Sequence, residues 1–139
     1  MERGKADADR FYARITELAS LDSRSQANKV VASVMRGLFG RLPRLSAGLI
    51  ADALPQPVPR LVLGSPSRLR FAPFGTLVEE VSEELGVGRQ TAVTYLRAVG
   101  VVLEETLTAD ALACLQAEIP GVAREILPSL DLAIPVRTA

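Results

Sequence analysis

Apolar residues recur at intervals of three and four along most of the chain, the spacing that gathers them on one face of a 3.6-residue helix. Phe11, Ile15 and Leu18 mark a first amphipathic helix, and Ala27, Val31, Val34, Leu38 and Leu42 a longer second one. Leu49, Ala53 and Leu54 mark the inward side of a short third helix, with its N-cap predicted at Ser46. A hydroxyl there can accept a free backbone N–H of the first turn. The stretch "PQPVPRLVLGSPSRLRFAPFG", residues 55–75, then breaks the pattern with Pro and Gly. It reads as a connector with a helical turn near Val58 to Val62, an extended pair "RLVLG" and "RLRF" being the weaker reading.

Helical spacing resumes beyond it. Thr76 and Glu79 have capping-box spacing, and Leu77, Val81 and Leu85 form the next stripe. Gly86 suits the left-handed residue that ends such a helix. A long helix follows with Ala92, Leu96, Val99, Leu103 and Leu107 inward. Thr108 is placed to cap another, carrying Leu112, Leu115 and Ile119, and Pro120 fits the first turn of a last one reaching Ile126 and Leu127. Gly100, inside the long helix, marks either a close helix approach or a kink.

The two halves follow the same order. A shift of 65 residues lays Ala27 on Ala92, Val34 on Val99, Leu38 on Leu103, Leu42 on Leu107, Ile50 on Leu115, Leu54 on Ile119 and Pro55 on Pro120. Upstream of the first turn the shift is 66, which lays Phe11 on Leu77, Ile15 on Val81 and Leu21 on Val87. The pattern predicts an all-α fold of six to eight helices, from two similar units of three to four helices sharing one core. The expected division of the single domain is a first unit at 9–63, a connector at 64–73, a second unit at 74–130 and a tail at 131–139.

The segment from "FYARITELASLDSRSQANKVV" to "IADALPQPVPRLV" resembles the bacterial family known as domain of unknown function 2267. So does the segment from "FGTLVEEVSEELGV" to "AEIPGVAREIL". The shared features are a Phe-initiated amphipathic helix, a short turn, an Ala-rich long helix and a short helix ending in Leu54-Pro55 or Ile119-Pro120. The first unit has Ser20 where the second has Gly86. The resemblance covers roughly residues 9 to 130. It implies a small all-helical fold with no established activity and no catalytic motif to transfer.

Composition narrows the chemistry. Hydrophobic residues make up 48% of the chain and aromatics 4%, without Trp, so the core must be aliphatic. There is no His, the commonest general base and a frequent metal ligand. The single Cys114 aligns with Leu49 at a position expected to face the core, where a thiol is inert. The paired glutamates 79/80, 83/84 and 104/105 diverge around their helices, although 80 and 84 share a face. No Gly-rich phosphate loop or nucleophile motif is present. The sequence therefore predicts no enzyme activity, no cofactor and no metal. "MERGKADADR" lacks the apolar run of a signal peptide and no stretch approaches a membrane span, so a cytoplasmic protein is expected.

Charge supplies the binding candidates. Residues 1–72 hold 12 Lys and Arg against 6 Asp and Glu, and residues 73–139 hold 4 against 10, leaving the halves at +6 and −6. Arg36, Arg41, Arg44, Arg60, Arg68 and Arg70 are candidates for a patch that meets an acidic protein, a nucleic acid or an anionic membrane surface. The alternative is a solvated face. "ELGVGRQTAVTYLRAVG", residues 84–100, resembles the turn and second helix of a helix-turn-helix spanning residues 76–98. Arg89, Gln90 and Thr94 would read bases and Arg97 would touch phosphate. Glu79, Glu80, Glu83 and Glu84 oppose the approach of DNA, and the first unit repeats the same helix pair, which packing alone explains. The expected function is a non-enzymatic module that binds another protein or itself, with nucleic-acid binding as the alternative.

Overall fold

The computed structural model describes residues 2–55 and 73–128, with side chains from residue 7 onward. Seven helices occupy them: α1 (Glu2–Ala19), α2 (Arg24–Phe39), α3 (Arg44–Asp52), α4 (Phe74–Leu85), α5 (Arg89–Thr106), α6 (Ala109–Glu118) and α7 (Pro120–Ile126). Among the described residues there is no strand. The expected helical turn near Val58 and the extended alternative at 61–71 lie outside them.

Local chemistry explains most helix ends. Ser23 caps α2, its hydroxyl accepting the Gln26 N–H, while the Gln26 side chain accepts the Asp22 N–H at 2.9 Å. Thr108 caps α6 by accepting the Ala111 N–H at 3.1 Å, and Pro120 opens α7. Two expected caps are corrected. The N-cap of α3 is Pro43 and that of α4 is Pro73, each extended, so both helices begin before the hydroxyls at Ser46 and Thr76. Ser46 instead donates to Glu118 Oε2 at 2.8 Å, joining α3 to α6. Glu79 pairs with Arg89 rather than reaching back to a backbone N–H.

The α1–α2 and α4–α5 turns share one geometry. Gly86 takes the left-handed conformation at φ 67°, and Ser20 takes it at φ 55°. In each turn the next residue reaches back five positions. Leu21 N–H donates to the Thr16 carbonyl at 2.9 Å, and Val87 N–H to the Ser82 carbonyl at 3.1 Å. Ser20 thus bears a left-handed backbone that glycine adopts without penalty. Ser20→Gly is expected to stabilise the fold by about 0.5–1 kcal/mol. Thermal unfolding checks this, and an unchanged or lowered midpoint would count against it.

Packing is reciprocal between the halves. Within each half, α1 packs on α2 and α4 on α5; across them, α1 packs on α5 and α2 on α4. The centre is closed by α2 against α5, and α3 lies on α6. Exchanging the halves swaps α1 with α4, α2 with α5 and α3 with α6, and returns the same set of pairings. A single hydrophobic cluster, mostly aliphatic but with Phe11, Tyr12, Phe39 and Tyr95 in it, runs through both units to Leu77, Leu96, Leu103 and Leu115. The two units therefore share one core, and α7 covers α5 and α6 at its far side.

Of the two readings of Gly100, a close helix approach or a kink, the close approach is present. A Cβ there would lie 2.0 Å from the Ile126 carbonyl oxygen, so glycine is what allows α7 to seat on α5. At the α2–α4 contact, a Cβ on Gly37 would lie 2.3 Å from Leu77 Cδ1.

Candidate interaction surfaces

The three described arginines of the expected basic patch have separate fates. Arg41 is fully buried, just beyond α2, and this corrects its assignment to a surface patch. Its Nη1 donates to the Gly37 carbonyl at 2.8 Å and reaches Glu80 Oε1 on α4 at 3.4 Å. A guanidinium at that place satisfies a late carbonyl of α2 and sits at the negative end of its dipole. Arg36 is exposed but held by Glu84, which also accepts the Ser33 hydroxyl at 2.6 Å. The two glutamates that share a face of α4 are therefore taken by two arginines of the first unit. Only Arg44 stands exposed at the start of α3, with no ion pair to the described residues. Arg60, Arg68 and Arg70 lie outside the described residues.

The helix-turn-helix candidates do come together. Arg89, Gln90, Thr94 and Arg97 line a shallow hollow with Val93 on the outer side of α5. Carboxylates from neighbouring helices reach in: Arg89 Nη1 lies 3.0 Å from Glu79 Oε1, and Arg97 pairs with Glu125 on α7 at 3.7 Å. Arg97 also donates to the Glu125 carbonyl at 3.3 Å. Thr94 spends its hydroxyl proton on the Gln90 carbonyl at 3.1 Å.

A cleft of about 460 Å³ opens between α1, α5 and the end of α3, lined by Arg10, Phe11, Arg14, Asp52, Val102 and Glu105 among others. Arg14 crosses it to Glu105 at 3.0 Å and also holds Glu17 at 2.9 Å. Glu105 first, then Glu17, raises the Arg14 guanidinium above its ordinary pKa. Nearby, Arg24 stacks 4.1 Å from the ring centre of Tyr12 while pairing with Asp9. Burial pushes the Tyr12 phenol up, opposed by the Arg24 charge.

The sequence reading missed the apolar surface. Leu49, expected inward, is 47% exposed, and Leu45, one turn before it, is 89% exposed. With α3 starting at Arg44, the inward positions are Ile50 and Ala51, and the outward stripe is Arg44, Leu45, Gly48, Leu49 and Asp52. The matching stripe of α6 is Ala109, Asp110, Ala113, Cys114 and Ala117. The contrast shows when α3 is set beside α6: the fold accepts Asp110 where α3 carries Leu45. Cys114 is partly buried against the core.

Among the described residues no group of three or more His, Cys, Asp or Glu is placed to hold a metal ion, and no helix is long and apolar enough to cross a membrane. The family described as "Uncharacterized conserved protein (DUF2267)" matches residues 8–128. No curated protein matches the chain.

Proposed function

We propose that this chain, which belongs to the DUF2267 family, is a non-enzymatic cytoplasmic module that binds another protein or a second copy of itself. The observation that carries this reading is the outward face of α3. Leu45 and Leu49 are the large apolar side chains left exposed among the described residues. Covering such a side chain contributes about 1.5–3 kcal/mol, and the core does not require leucine at either place. Arg44 adds an exposed charge, unpaired among the described residues, at one end of the face.

The second reading, DNA binding through α5, is favoured by the clustering of Arg89, Gln90, Thr94 and Arg97 on one side of that helix. It ranks lower because Glu79 and Glu125 already neutralise the two arginines, and phosphate affinity depends on free cation. Capture with a tagged chain separates the two. Partner retention is expected to survive nuclease and Arg89→Ala/Arg97→Ala, and to be lost in Leu45→Glu/Leu49→Glu. Nuclease-sensitive retention that only the Arg89 and Arg97 changes abolish would establish the second reading instead.

A further inference from the structure

We infer that α3 forms a two-fold, antiparallel contact between two copies of this chain. The inference rests on reading α3 as the binding face and names its occupant. The argument begins with the charges that bracket the two leucines. Arg44 is the first residue of α3 and Asp52 the last, and both are exposed. A helix carries partial positive charge at its N-terminus and partial negative charge at its C-terminus. Both side chains therefore sit at the wrong end of their own helix, with no acid in the first turn and no base in the last to offset them.

An antiparallel copy corrects both placements at once. Running the second α3 in the opposite direction sets Arg44 beside the C-terminal end and Asp52 of its mate, and the two-fold axis repeats the match at the other end. The axis then passes near Gly48, midway between residues 44 and 52. A Cβ at Gly48 would meet nothing within 4 Å, so the space in front of the glycine is open and the two backbones can come close there. Leu45 and Leu49 of each copy flank that point and cover those of the other. Such a face is isologous: the same residues serve both partners. No comparable match exists on α6, where the positions of Arg44 and Asp52 are occupied by Ala109 and Ala117.

The contact centres on two nine-residue helices. It belongs at the small end of specific interfaces, below about 1,200 Å², and is a reversible association rather than a permanent one.

Sedimentation of the full chain from about 10 µM to about 1 mM tests this. The expected result is a concentration-dependent monomer–dimer equilibrium. Arg44→Glu alone and Asp52→Arg alone should each weaken it about tenfold, since each sets two like-charged pairs in one dimer. Combining Arg44→Glu with Asp52→Arg should restore it, because the pairing is regained with the signs exchanged. Leu45→Glu/Leu49→Glu should leave a monomer with unchanged helix content by circular dichroism. A wild-type chain that stays monomeric throughout overturns the inference, as does a dimer indifferent to the leucine changes or single charge changes that the double swap fails to rescue. If the chain stays monomeric while Leu45 and Leu49 are still needed to capture a different protein, self-pairing is wrong and the module reading stands.

Discussion

Arg41→Glu is expected to leave the chain largely unfolded, while Arg44→Glu, three residues on, is expected to change stability by no more than about 0.5 kcal/mol. The two positions look alike in sequence and differ entirely in surroundings. Arg41 is wholly inside, donating to the Gly37 carbonyl and facing Glu80 across the α2–α4 contact. A carboxylate in its place would meet a carbonyl oxygen, the negative end of α2 and another carboxylate. Glu80 is partly exposed, so losing this pair costs less than the about 3–5 kcal/mol of a fully buried one. Placing an unpaired carboxylate where Arg41 is buried adds desolvation and repulsion to that loss. Domains of this size hold about 5–15 kcal/mol in total. Denaturant titration of both variants decides the matter: equal midpoints would mean that Arg41 has no structural role.

Gly100→Ala is the second large effect expected. Helix propensity alone favours alanine by about 1 kcal/mol. Against that, the new methyl would lie 2.0 Å from the Ile126 carbonyl oxygen and 2.7 Å from its carbon. Those are backbone atoms, so relief requires lifting α7 off α5 and unpacking Val122, Ala123 and Ile126, all buried. Overpacking of this kind costs about 1–3 kcal/mol or somewhat more, enough to outweigh the propensity gain. Gly37→Ala provides the control. Its methyl would meet the tip of Leu77, a side chain that can rotate, so the loss should be smaller. Thermal melts should place Gly100→Ala well below Gly37→Ala; the reverse order would refute the close-approach explanation.

Much of the fold was legible because it depends on local pattern. The stripes through Val31 and Val99, the left-handed turn at Gly86, the Thr108 cap and Pro120 each follow from neighbours within four residues. Ser20 and Gly86 adopt the same left-handed backbone in the corresponding turns. What escaped was set elsewhere in the chain. Pro43 and Pro73 start α3 and α4 early, which displaced the caps expected at Ser46 and Thr76. That earlier start also fixes the phase of α3, and a helix of nine residues shows too few turns for its inward side to be read from periodicity. Periodicity therefore puts Leu49 inside, whereas in the fold it faces out. Arg41 looked like a surface charge because nothing near it in sequence announces Glu80, thirty-nine residues away.

The ion pairs of the two reciprocal helix contacts have opposite polarity, and this bears on how the chain is made. Where α1 meets α5 the cation, Arg14, belongs to α1; where α4 meets α2 the acids, Glu80 and Glu84, belong to α4. Under the 66-residue shift Arg14 and Glu80 occupy the same place in their units. A first unit that borrowed another first unit would offer Arg14 the basic end of α2, where Gly40 stands in place of Glu105 and Arg41 lies beside it. Two second units would offer Glu80 the end of α5, where Thr106 stands in place of Arg41 and Glu105 lies beside it. On a polysome the first unit emerges ahead of the second, with its apolar groove uncovered and identical nascent grooves close by. The arginines make neighbouring chains poor substitutes for the half still being synthesised, so each groove is kept for its own acidic complement.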